Sequence, residues 1–562
     1  MSQAGTRFTP PRPGVGRMHP PPLRSCARIT PAWARMSPAR TPLSTGVSGS
    51  SSLSWTAPWR RRAPRASAPL PRRCSTMWIS SSRPTDQSSD MHTRHWSALA
   101  VMLCAVFLAS VDFNIVTIAI PSIQRGLGTN FSEVQLIVAG YALSFAVLLI
   151  TGGRLGDLYG RRRMYMIGMT GFTIASALCG FAQSPAALVA SRVLQGAFAA
   201  VMVPQALSFI QVTFTAHEQS RAYALYGMTI GFGMIAGQLL GGLLVSANLF
   251  GLDWRPVFLV NLPFGAIALT LAWLLVPESR APAGLKLDLV GVALVSTALA
   301  LLLYPLIRGA AAGWPAWTWA SLASAAVLLV VFARYERRKT DRDGSPLVVL
   351  SLFRHRSFVV GLGVGLSFFT VLAPFLVLLA EYLQSGLDLS PRAAGLRFLP
   401  FALGFLTASL ASARLAPRLG RKILQLGAGL MVTGLATLMV VVHSPTLDSS
   451  GVAYIAPLLI YGLGQGSLQA PLVNFILADV PPHDAGSASG VVTMLQQFSF
   501  ALGVAVIGSV FAVALGPHPG SSGYGRALDH ALLWNVALLT VTFVAAFALP
   551  RRQAARALSD AG

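Results

Sequence analysis

The apolar positions of this chain fall into long unbroken runs, not into the alternation of a strand or the half-face periodicity of a soluble helix. Fourteen runs have approximate cores at 97–120, 134–153, 164–183, 186–213, 222–247, 257–276, 288–307, 316–334, 357–380, 393–413, 423–442, 453–477, 487–515 and 531–549. Each reaches the roughly 17 to 25 residues that cross a bilayer as a helix. The pattern predicts an all-α polytopic membrane protein with fourteen transmembrane helices.

Composition agrees: 54% of residues are hydrophobic and 11% charged, where soluble domains carry about 25% charged residues. A net charge of +24 invites a polyanion-binding reading, and its distribution removes it. Fourteen arginines against Asp86 and Asp90 precede Met91, so half of the excess lies in an Arg-, Pro- and Ser-rich tail. Most of the rest sits in short loops, where positive charge sets topology, so no nucleic-acid partner is expected. Residues 1–90 lack Lys and Glu and any sustained apolar period, which predicts disorder. The short basic lead MHTRHWSALAVML favours translation from Met91 over an organellar transit peptide.

One set of alternate loops holds Arg161, Arg162 and Arg163, Arg221, Arg280 and Lys286, Arg337, Arg338, Lys339, Arg342, Arg354 and Arg356, and Arg414, Arg418, Arg421 and Lys422. Arg551, Arg552 and Arg556 end the chain, while the other set holds little beyond Arg125, Arg255, Arg308, Arg392 and Arg526. Positive residues stay inside, so both termini are expected in the cytoplasm. Cys26, Cys74, Cys104 and Cys179 show neither metal spacing nor a disulfide framework.

A dense cluster of charge and glycine, GRLGDLYGRRR at Gly153 to Arg163, interrupts the apolar runs and recurs as ARLAPRLGRKI at Ala413 to Ile423. Arg154, Leu155, Gly160 and Arg161 match Arg414, Leu415, Gly420 and Arg421, whereas Asp157 meets Pro417. Both turns join the second and third helices of a six-helix block. The repeat predicts an N-terminal bundle at 91–280, inserted helices 7 and 8 with a cytoplasmic linker at 281–350, a C-terminal bundle at 351–550 and a cytoplasmic tail at 551–562. Two related bundles around a central site is a transporter design.

Five motifs in order carry a resemblance: LASVDFNIVTIAIP from Leu108, the Gly153 turn, RVLQGAFAAVMVP from Arg192, GFGMIAGQLLGG from Gly231 and WRPVFLVNLPFG from Trp254. The chain resembles the major facilitator superfamily, and within it the fourteen-helix drug:proton antiporters, over about Trp96 to Arg552. The resemblance implies a monomeric secondary transporter of the cytoplasmic membrane, without cofactor, that exchanges protons for lipophilic small molecules such as drugs or antibiotics.

Asp112 is a carboxylate inside an apolar helix, which marks a functional site; it is expected to carry protons or to contact a cationic substrate, the alternative being an aspartate permanently hydrogen-bonded to a neighbouring helix with Asn114 as its polar companion. The resemblance extends proton relay to Arg192, with Gln195 one turn on; the alternative is an Arg192 that snorkels at the membrane edge, beside the short polar connection Gln183 to Ser191. It makes Gly153, Asp157, Gly160, Arg161 and Arg162 a gating turn in which Asp157 latches the other bundle. It also makes Gly233, Gly237, Gly241 and Gly242 an antiporter helix, in which Gln238 replaces the proline the family carries after the second glycine. Leu136 stands where the family has tryptophan.

Trp254 reads as an interfacial anchor, with Asn261 and Pro263 bending the chain behind it. Glu381, next to Tyr382 and Gln384 at the end of its helix, and Arg397 have two readings, the lining of a polar pocket near the outer face and snorkelling at the interface, of which snorkelling is favoured. An uptake symporter of the same fold is the alternative, encouraged by Gln238. A membrane-embedded enzyme would need convergent polar groups, and His217, His355, His443, His483, His518 and His530 scatter through loops. An ATP-driven pump would need G-x-x-x-x-G-K-[ST], which does not occur.

Overall fold

With no water inside a bilayer, every spanning backbone group must be bonded within its own segment, and the chain answers with helices. A computed structural model describes residues 84–280, 288–309, 312–343, 347–444, 451–481, 485–516 and 520–550; the predicted tail at 551–562 and residues 1–83 of the predicted tail at 1–90 lie outside them, whereas residues 84–90, expected to be disordered, open the first helix. The helices are α1 (Pro84–Leu127), α2 (Phe131–Tyr159), α3 (Arg161–Gly180), α4 (Pro185–Thr213), α5 (Ala216–Ala247), α6 (Pro256–Leu259) and α7 (Asn261–Leu275). There follow α8 (Leu289–Arg308), α9 (Ala316–Asp343), α10 (Arg356–Glu381), α11 (Pro391–Arg397), α12 (Leu399–Leu419), α13 (Lys422–His443), α14 (Ile455–Leu477), α15 (Ala485–Leu515) and α16 (Ser521–Ala545).

Counting α6 with α7 and α11 with α12 as single traverses gives fourteen among the described residues. Thirteen are long and apolar enough to cross a membrane; α3 is the exception, because three arginines open it and glycines and threonines dilute the rest. Its 20 residues still extend about 30 Å, and it packs on α4 and α7.

The repeat read from the two turns is repeated in the packing. In the first bundle α2 packs on α4, α3 on α4, α1 on α5, α1 on α7 and α3 on α7. In the second the counterparts pair the same way: α12 on α14, α13 on α14, α10 on α15, α10 on α16 and α13 on α16. The seam obeys the same symmetry, α2 lying on α15 and α5 on α11 and α12. The inserted α8 packs on α9 and fills the groove beside α2 and α15. Burial follows this plan: 83% of the most apolar stretch of the α10 span is buried, against 11% for α9, which lies at the periphery.

Loop 128–130 marks one end of the bundles and Gly160 the other. Three interbundle hydrogen bonds lie toward the Gly128 end. Gln384 Nε2 donates to Ile118 O at 2.9 Å, Gln135 Nε2 to Val504 O at 3.0 Å, and the Arg392 amide to Ser246 Oγ at 2.8 Å. Phe131 tilts against Phe511 with ring centroids 5.4 Å apart. The bundles are closed at this end.

Candidate functional site

Four helices of the first bundle converge on one buried polar cluster. Pro185 at the first helical position and Ser184, whose hydroxyl accepts the Ala187 amide, start α4, and its i, i+3 spacing turns Arg192 and Gln195 to one face. Across from them α1 presents Asp112. Arg192 Nη1 lies 2.5 Å from Asp112 Oδ2, Gln195 Nε2 donates to Asp112 Oδ1 at 2.7 Å, and Asn261 Nδ2 from α7 donates to the same oxygen at 2.8 Å. Ser176 of α3 accepts from both amides, at 3.0 Å and 2.8 Å, and donates to Phe258 O.

Asp112, Ser176, Arg192 and Gln195 are fully buried and Asn261 nearly so. Every contact donates to the Asp112 carboxylate, the pattern of an ionised acceptor. Arg192 stacks its guanidinium 4.2 Å over the Tyr141 ring, and its Nε and Nη2 have no hydrogen-bond acceptor among the described residues. The pair is therefore tightly held on the carboxylate side and incompletely held on the arginine side. A proton on Asp112 would cancel the charge that keeps Arg192 in place.

The structure brings together Asp112, Arg192 and Gln195, as their motifs implied. It also adds Asn261 and Ser176, which sequence reasoning missed. Asn261 belongs to the cluster and not merely to a bend, and an amide inside an apolar run is the signal that could have found it. The membrane-edge alternative for Arg192 does not hold, since the side chain is wholly enclosed. Asn114 is no companion of Asp112; its amide donates to Ser110 O within α1.

The Gly160 turn is built differently. Gly160 has φ +106°, a conformation that side chains rarely adopt, and a Cβ there would meet the Glu278 carboxylate carbon at 2.6 Å. That carboxylate accepts the backbone amides of Arg162 and Arg163, each at 3.2 Å, and so places an anion at the α3 N-terminus. Arg162 Nη2 donates to Trp273 O at 2.7 Å, and the Arg161 amide to Ser279 O at 3.0 Å. Asp157 pairs with Arg161 at 2.5 Å within the turn. Gly153 faces Pro204 of α4.

The second turn repeats the clamp. Gly420 has φ +56°, and Arg421 Nη1 donates to Phe547 O at 2.6 Å and Leu549 O at 3.0 Å, the end of the last helix of its bundle.

The glycines of α5 face α1. A Cβ on Gly233 would lie 2.6 Å from Ser110 Cβ, on Gly237 2.8 Å from Asn114 Cβ, and on Gly241 3.0 Å from Ile115 O. This is small-residue helix packing. Gly242 faces the other bundle instead, where Pro391 O would lie 2.6 Å from its Cβ. Gln238 lines no open path: its amide donates to Thr117 Oγ1 at 3.0 Å.

Two expectations are corrected. Trp254 is fully buried against Gly126, because the loop before α6 folds back under α1, so it is core and not an interfacial anchor. Glu381 is buried in the seam between the bundles and does not snorkel, because α10 is the most enclosed span of the chain.

At the foot of the inserted pair, Asp288 Oδ1 accepts the Gly291 amide at 2.9 Å, Tyr335 Oη at 2.9 Å and Lys339 Nζ at 3.1 Å. Burial works against its charge, and these donors outweigh it and hold the carboxyl below its usual range.

Two pseudo-symmetric helical bundles, with a buried ion pair in one and glycine turns at one end of both, define a multi-pass secondary transporter. The chain belongs to the Major Facilitator Superfamily, whose family model matches residues 102–290 and 288–504. It is 41% identical over 426 residues to the probable actinorhodin transporter of Streptomyces coelicolor, covering 76% of this chain and 74% of that protein. It is 36% identical over 469 residues to the puromycin resistance protein pur8 of Streptomyces alboniger, covering 81% and 91%. The multidrug efflux pump LfrA of Mycolicibacterium smegmatis is 32% identical over 428 residues, covering 76% and 83%.

Among solved structures, a bacterial homolog of the human lysosomal transporter Spinster, inward-facing and unoccupied, superimposes with TM-score 0.59 at 17% identity over 81% of this chain and 97% of that one. The xylose transporter XylE of E. coli does so with TM-score 0.54 at 15% identity over 80% and 98%. These two share the fold.

Proposed function

We propose that this chain exports lipophilic small molecules, drugs or antibiotics among them, across the cytoplasmic membrane in exchange for protons. It works as a monomer with the arginine-rich Gly160 end and both termini in the cytoplasm. The names of its relatives support export. The observation that carries proton coupling is the enclosed Asp112–Arg192 pair. With the Gly128 end closed, the described state is the one that opens inward.

Asp112 spends both oxygens on its own bundle, so it serves as the proton carrier and makes no contact with substrate. The adjacent Phe113 points into the seam, where it stacks on Phe500 of α15 at 5.4 Å, and Phe500 meets Phe369 of α10 at 6.3 Å. One helix thus carries the proton site on one side and an aromatic substrate surface on the next. Protonating Asp112 frees Arg192, loosens α1 against α4 and α7, and shifts Phe113 in the seam. Gln238, the basis for an uptake symporter, is held by Thr117 and no longer favours that reading.

The test is vectorial. In proteoliposomes with an imposed pH gradient, substrate is expected to move against the proton flow, and Asp112→Asn to abolish that movement. Movement with the protons, or full coupled export by Asp112→Asn, would overturn the proposal.

A further inference from the structure

Where α10 ends, the chain passes through one π-helical turn, Tyr382–Gly386, in the seam that closes the Gly128 end. Gln384 reaches from this turn to Ile118 O of α1. Glu381, three residues earlier on the same face, is 3% exposed, and its Oε2 is buried without a hydrogen-bond partner among the described residues. The charged or titratable groups facing it are Arg125 from α1 and Tyr524 from α16, together with the Ser385 hydroxyl one turn on. Arg125 is exposed and donates to Ser122 Oγ at 3.2 Å; among the described residues no ion pair holds Glu381. A carboxylate at membrane depth, dry and with an oxygen no donor reaches, is stable there only as the neutral acid.

We propose that Glu381 is a proton-operated latch of the outer face, a role that rests on reading the Gly128 end as outer. While the face is closed, Glu381 keeps its proton. When the bundles part, water reaches the carboxyl, its O–H bond breaks, the proton leaves to the outer solution and the carboxylate stays behind near Arg125. Closing the face requires the proton to return. Acid outside therefore drives the empty protein back to the state that opens inward, which is the return stroke an exporter powered by an inward proton gradient needs. The latch is distinct from Asp112, whose carboxylate has donors on both oxygens.

Spin labels at Thr129 and Ser522, at the Gly128 end of the two bundles, test this. The full-length chain in lipid nanodiscs is used, with Cys26, Cys74, Cys104 and Cys179 replaced by alanine, and distances are read from pH 5 to 9. One coupled proton changes the ratio of closed to open populations by up to about tenfold per pH unit, acid favouring the short distance. Glu381→Gln is expected to stay closed at every pH, and Glu381→Asp to keep a pH response. A wild-type distance that ignores pH, or Glu381→Gln following pH like the wild type, overturns the latch. An impermeant thiol reagent on intact cells checks orientation separately. Protection of Ser522→Cys would overturn the outer reading and leave the pH-driven closure standing.

Discussion

The Asp112 carboxylate and the Arg192 guanidinium meet at 2.5 Å with side-chain exposures of 0% and 1%. Removing one partner of a buried pair strands the other charge at a cost of about 3–5 kcal/mol. Arg192 already has two nitrogens without acceptors, so Asp112→Asn should lower thermal stability by an amount in that range as well as abolish coupling. The double variant Asp112→Asn with Arg192→Gln should recover most of the melting temperature and none of the coupled transport. A melt in detergent beside the proteoliposome assay separates the two effects.

Asn261 supplies one of the three donors on that carboxylate, and a hydrogen bond to a charged group is worth about 1.5–3 kcal/mol. Without it the carboxylate keeps two donors and its pair with Arg192 is less firmly placed. Asn261→Ala should lower proton-coupled transport while leaving substrate affinity near its original value. Unchanged coupling would make Asn261 only a packing residue.

The arrangement of helices is legible in the sequence because long apolar runs and loop arginines are local signals, and the Gly153 and Gly420 turns announce a repeat that the helix pairings reproduce. Asp112 and Arg192 stand out as charges in apolar runs. Asn261 gives only the weaker signal of an amide in an apolar run, and Ser176 and Glu278 give none, because their roles depend on which helices meet; that Asn261 partners Asp112 across 149 residues is not written locally. Trp254 and Glu381 mislead for a related reason. Proximity to a helix end in sequence suggests the interface, whereas burial is decided by the elements that fold over that end.

Gly160 and Glu278 make the turn a clamp on the end of α7, so backbone and charge can be tested apart. Gly160→Ala combines a backbone region nearly reserved for glycine with a collision against Glu278, and should destabilise by about 1–3 kcal/mol. Asp157→Asn removes a pair within the turn that is 26% exposed on the Asp side; pairs of this kind contribute little to stability. If Asp157 latches the opposite bundle in the alternate state, that variant should insert and melt normally yet transport poorly. Normal transport would reduce it to a turn residue.

Asp288 gives the inserted helices a pH signature of definite sign. Its donors hold the folded carboxyl below the usual range, so its contribution is present above the unfolded pKa and is lost only as pH falls through the lower folded value. At neutral pH hydrogen exchange of the segment around Gly291 should therefore be faster in Asp288→Asn than in the wild type, and the difference should close only as pH falls through the folded value of Asp288. Equal exchange in the two proteins at neutral pH would contradict the assignment.

The glycines of α5 are separable by what faces them. A methyl on Gly237 would press on Asn114 Cβ and Val111 O at 2.8 Å, and neither can withdraw without moving α1. Gly237→Ala should cost about 1–3 kcal/mol as an overpacked contact and, by displacing α1, disturb the Asp112 cluster and weaken coupling. A methyl on Gly227, on the same helix, would have nothing within 4 Å; with no neighbour to strike, Gly227→Ala should gain about 0.5–1 kcal/mol from the better helix propensity of alanine. Parallel melts and export rates of the two variants check the contrast. Equal effects would mean that α5 does not depend on its approach to α1.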